Sequence, residues 1–131
     1  MTRETAPPVG RRQARRQALF LLYQWDLTEQ PLATLFEGEP DAFASELAAA
    51  VSAEAPSLDE RITAASQDWT ADRLGTLERN ILRIGIYELE EGTVPAEVAI
   101  NEAVLLAKRY ATEDAARLVN GILGRILRES T

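Results

Sequence analysis

The sequence predicts an all-α fold, a compact bundle of six to seven helices with short connections. Three observations predict it. Apolar residues recur at helical spacing along most of the 131 residues. No strand-like alternation runs beyond four or five residues. Every proline, and glycines such as Gly38, Gly75 and Gly92, fall between the periodic segments.

Residues 1–9 read as a flexible tail, because Pro7 and Pro8 prevent a helix there. From Arg11 to Glu29, Ala14, Ala18, Leu21, Leu22 and Trp25 form one apolar stripe. Pro31 suits the first turn of a short helix over 32–37, which Gly38 to Pro40 interrupts. Residues 41–55 carry Phe43, Leu47 and Val51 four apart, and Pro56 is expected to end that helix. Ser57 and Glu60 match a capping box for the next helix, whose stripe is Leu58, Ile62, Ala65 and Trp69. Thr70 suits a cap for a short stretch over 71–74, and Gly75 marks a break.

The segment from Leu77 to Leu89 is apolar on more than one side, the signature of a central, buried helix. Gly92 fits its C-terminal cap, and Pro95 begins a helix running to Tyr110. Thr112 caps the last helix, where Leu118, Val119, Ile122, Leu123, Ile126 and Leu127 make a broad stripe.

The composition excludes much chemistry. Without cysteine there is no disulfide and no thiolate, and without histidine the commonest general base and metal ligand are missing. No phosphate-binding or dinucleotide-binding glycine motif follows a strand, so no cofactor is expected. The carboxylate pairs Glu90–Glu91 and Glu113–Asp114 read as solvated helix ends. No enzyme is expected, and neither is a membrane span or a secretory signal; the expected location is the cytoplasm.

The net charge of −7 hides an asymmetry. Residues 1–18 hold five arginines against Glu4, whereas residues 26–60 hold nine acids and no base. A basic head on an acidic body predicts an anionic partner for the head alone. With Arg11 at zero on a helical wheel, Arg15 falls at about 40°, Arg12 at about 100° and Arg16 at about 140°. The apolar stripe spans about 280° through zero to 20°, which leaves the arginines on the flank and outer face. Tyr23 falls at about 120°, so a phenol ring shares a face with guanidinium groups. Four cations at a helix N-terminus oppose its dipole, so helix stability does not account for them. A polyanion read by phosphate contacts and base stacking does. A solvated helix start is the plainer alternative. In the last helix, Asn120 offers donors and acceptors beside Gly121 and Gly124. Close helix packing or the approach of a second backbone explains those glycines.

Several motifs together resemble one family. They are Ile81-Leu82-Arg83-Ile84-Gly85-Ile86-Tyr87-Glu88-Leu89, Val94-Pro95, Val98-Ala99-Ile100-Asn101-Glu102-Ala103-Val104, Leu106-Ala107-Lys108-Arg109-Tyr110 and Leu118-Val119-Asn120-Gly121-Ile122-Leu123. With Arg11-Arg12-x-Ala14-Arg15 and Leu22-Tyr23-x-Trp25, they are similar to the NusB family of transcription antitermination proteins across residues 10–128. The resemblance implies two small helical subdomains and binding to single-stranded boxA RNA of ribosomal RNA leader transcripts. It implies a heterodimer with the ribosomal protein NusE, entry into an RNA polymerase antitermination complex, and in some relatives a homodimer. By the same resemblance, Arg11, Arg12, Arg15, Tyr23, Asp114, Leu118 and Asn120 are expected at the RNA face, with Arg16 added from the wheel. Glu78 is expected at the protein partner. Gln13 interrupts the arginine run, Leu118 stands where relatives carry phenylalanine, and Gly124 replaces a usual aspartate. Related domains open some RNA methyltransferases; a chain ending at Thr131 is expected to be the stand-alone factor. A helical assembly protein, using the basic head for a dimer or partner interface without RNA, is the alternative.

Overall fold

In the computed structural model, residues 10–36, 38–67 and 70–130 are described. They form six α-helices: α1 (Arg11–Thr28), α2 (Ala42–Ala53), α3 (Ala55–Ala65), α4 (Thr76–Glu91), α5 (Ala96–Tyr110) and α6 (Glu113–Glu129). Two short 3-10 turns, Leu32–Leu35 and Ala71–Arg73, lie between them, and the described residues contain no strand. The tail over residues 1–9, Glu37 and Trp69 fall outside the described residues.

Helix ends follow local chemistry where a cap is strong. The Asp41 carboxylate accepts from the Ala44 amide at 3.0 Å, and the Thr112 hydroxyl accepts from the Ala115 amide at 2.9 Å. Gly92 closes α4 with φ at +68°, a left-handed position open to glycine without steric cost. The expected capping box at Ser57 is corrected. Helix α3 begins at Ala55, with Glu54 alone between it and the end of α2, and with Pro56 in its first turn. Proline lacks an N–H and fits a first turn, so it opened the second helix rather than merely closing the first. Ser57 therefore sits inside α3, and its hydroxyl donates to the Glu54 carbonyl at 3.1 Å.

Helix α4 is the hub. Ile81, Leu82, Ile84, Gly85 and Ile86 are buried on several of its sides, and it packs against all five other helices. Helix α1 packs on α2 and α5 packs on α6, so two small helical groups share one apolar core across α4. Burial of side chains such as Leu19, Leu22, Ile62 and Leu123 contributes about 1.5–3 kcal/mol each. Close packing is reached at Gly85. A Cβ there would lie 2.7 Å from Leu123 Cδ1, so α4 meets α6 so closely that a larger residue would force the buried Leu123 side chain to shift. Gly121 has open space around it, and a Cβ on Gly124 would meet only the Arg128 guanidinium. Internal packing therefore does not explain Gly121.

Candidate nucleic-acid interface

Helix α1 opens with no acid in its first turn, and its four arginines have separate fates. Arg15 is buried. Its Nε donates to Glu88 Oε1 at 2.8 Å and its Nη2 to Glu88 Oε2 at 2.9 Å, with both side chains about 95% covered. Arg15 thus cannot reach a polyanion, and its expected place on the RNA face is corrected. Its wheel position borders the apolar stripe, and the carboxylate that turns it inward lies 73 residues away on α4.

Arg12 reaches solvent but is tied to Glu102 of α5, with three hydrogen bonds between 2.9 and 3.3 Å. Hydrogen bonding to that carboxylate, and its charge, hold the Arg12 pKa above the ordinary guanidinium value. Two of the four cations crowding the helix start are therefore neutralised from α4 and α5. Arg11 and Arg16 form no ion pair with a carboxylate among the described residues. Arg11 is exposed and stacks its guanidinium 3.9 Å from the centre of the Phe43 ring on α2. Arg16 is half-buried, and its Nε is enclosed without a hydrogen-bond partner.

Arg16 lines a groove of about 520 Å³ between α1 and α5, together with Arg12, Glu102, Leu105, Arg109 and Tyr110. Arg109 Nε donates to the Tyr110 hydroxyl at 3.1 Å. Burial pushes the Tyr110 phenol up, but hydrogen bonds from Arg109 and Arg16 and their charges outweigh it and hold the pKa below the usual phenol value. Phe20 meets Tyr110 edge-on at 5.1 Å between centroids and remains 42% exposed. Tyr23 is also exposed, on the same side of α1 as Arg12 and Arg16.

The other expected residues lie on α6 and α4. Asp114 and Asn120 are exposed, with Asp114 paired to Arg117. Leu118 is half-buried and packs against the core. The Glu78 carboxylate lies back over Gly75 in the first turn of α4, where it offsets the helix dipole.

The sequence reading missed Phe20, Glu102, Arg109 and a second ionic cluster. Phe20 had a signal, since it falls at about 180° on the wheel, opposite the apolar stripe. The cluster lies beneath. Asp26 of α1 accepts from Arg79, Asn80 and Arg83 of α4 at 2.8–3.1 Å, and Arg83 also donates twice to Asp59 of α3 at 2.7 Å. Burial alone would raise the Asp26 pKa, but these donors and the two guanidinium charges bring it below the ordinary value. The cluster locks α1 and α3 to α4 and so fixes the direction in which α1 presents its outer face.

The NusB family profile matches residues 12–128. The chain belongs to the NusB family. It is 35% identical to the transcription antitermination protein NusB of Solibacter usitatus, covering 92% of this chain and 90% of that one. It is 39% identical to NusB of Rubrobacter xylanophilus, covering 88% of each. Among solved structures, T. maritima NusB superposes with a TM-score of 0.81 at 32% identity over 94% of both chains. A chain from a crystal structure of antitermination factors NusB and NusE in complex with dsRNA gives 0.79 at 32% identity, over 91% of this chain and 96% of that one.

Proposed function

We propose that this protein is a transcription antitermination factor that binds boxA RNA of ribosomal RNA leader transcripts together with NusE and joins the RNA polymerase antitermination complex. The observation that carries this is the outer face of α1. Arg16 stands there beside exposed Tyr23 and across a groove from Arg109, and Arg11, exposed over Phe43 of α2, adds a second cation from the same helix start; among the described residues neither has a carboxylate partner. Guanidinium groups hold phosphates, and the ring offers a stacking surface for an unpaired base. Asp114 and Asn120 on α6 are proposed to contact base edges, Leu118 to pack beneath them, and Glu78 to face NusE. Family membership and the relative solved with NusE and dsRNA support this reading.

The test is a titration of leader RNA containing boxA against the full chain, with and without NusE. Saturable binding that NusE tightens is expected. A stable dimer indifferent to that RNA in both arms would refute the reading and favour the assembly protein.

A further inference from the structure

Helices α1 and α5 lie side by side in the same direction. Arg12 meets Glu102 at one end of the groove, and Phe20 meets Tyr110 at the other, with the same sequence offset of 90. Between those closures the groove holds two unlike kinds of chemistry. The first is cationic: Arg16 and Arg109 both bear on the Tyr110 phenol, and Glu102, the carboxylate lining the groove, is already bonded to Arg12. The second is apolar: Leu105, which lines the groove, is 37% exposed, and Phe20, set edge-on against Tyr110 at the groove's end, is 42% exposed.

An acidic peptide would use the cations but not the open ring. An apolar peptide would use the ring but strand the guanidinium groups. A nucleotide uses both, through a π-face and a phosphate or base-edge acceptor. Its size suits a cleft of about 520 Å³.

We infer that the α1–α5 groove is a pocket for one unpaired nucleotide, whose base stacks on Phe20 while Arg16 and Arg109 hold its phosphate or base edge. This rests on the RNA-binding reading above and adds to it a specific subsite with its own residues.

The experiment is a scan of leader RNA with single abasic riboses, read against the wild-type chain and Phe20→Leu, with and without NusE. One abasic position should weaken wild-type binding about fivefold or more, the scale of a lost base–aromatic stack, and should cost Phe20→Leu nothing further. Arg16→Gln, a polar change at a half-exposed site, should flatten the salt dependence by roughly one phosphate contact. Thermal melting checks that both variants fold. Wild-type binding with every abasic cost unchanged in Phe20→Leu and an unchanged salt slope in Arg16→Gln would overturn the pocket and leave the RNA reading standing. Loss of NusE affinity alone in both variants would overturn it in favour of a protein-binding groove. No wild-type binding in either arm would overturn both.

Discussion

Replacing Glu88 by glutamine removes the charge that holds Arg15 inside the protein. The pair has two short hydrogen bonds, at 2.8 and 2.9 Å, and both side chains are almost wholly covered. Leaving one member of such a pair buried without its counter-charge costs about 3–5 kcal/mol. A domain of this size has a total stability of about 5–15 kcal/mol, so Glu88→Gln should remove at least about a fifth of it. With a urea slope of about 2 kcal/mol/M, the unfolding midpoint should fall by about 2 M. The double change Arg15→Met with Glu88→Leu replaces the pair by apolar groups of similar size and should be neutral or stabilising. Urea unfolding followed by circular dichroism reads all three proteins. A loss below about 1 kcal/mol in Glu88→Gln, the scale of an exposed ion pair, would refute the buried placement of Arg15.

Acid should weaken the Asp26 cluster. Asp26 has a folded pKa below its unfolded value, so its contribution is full above the unfolded value of about 4 and is lost as pH falls through the folded one. Asp26→Asn should destabilise the protein at neutral pH and flatten the acid limb of a stability–pH curve. A limb as steep as the wild type's would place the acid sensitivity elsewhere. Gly85→Ala should cost about 1–3 kcal/mol through collision with Leu123, whereas Gly121→Ala should stabilise α6 by about 0.5–1 kcal/mol. Thermal melting of both variants should move in opposite directions, and equal losses would contradict the packing described.

Features encoded by neighbouring residues were legible in the sequence. The Thr112 cap, the Gly92 cap and the all-round apolar pattern of α4 each depend on side chains within one or two turns. Ser57 misled because two local signals, a capping box and a first-turn proline, pointed to different start sites, and the proline prevailed. Arg15 misled for another reason. Its wheel angle bordered the core, and only a carboxylate from a distant helix decided that it turns inward. The same distance hid the groove, because no pattern in one helix registers that Arg16, Arg109 and Tyr110 converge. The excess of cations at the start of α1 was visible, and the structure divides it into two paired arginines and two without carboxylates among the described residues.

The salt dependence of RNA binding tests the account most directly. The wild type, Arg11→Ala, Arg16→Ala and the Arg15→Met/Glu88→Leu double variant would be titrated with leader RNA across a range of salt concentrations. Each of the two single changes should reduce the slope of log affinity against log salt by about 0.7, and the double variant should keep the wild-type slope. Unchanged slopes for Arg11→Ala and Arg16→Ala, or a slope lowered only in the double variant, would contradict the assignment of these two arginines at the start of α1 to phosphate binding.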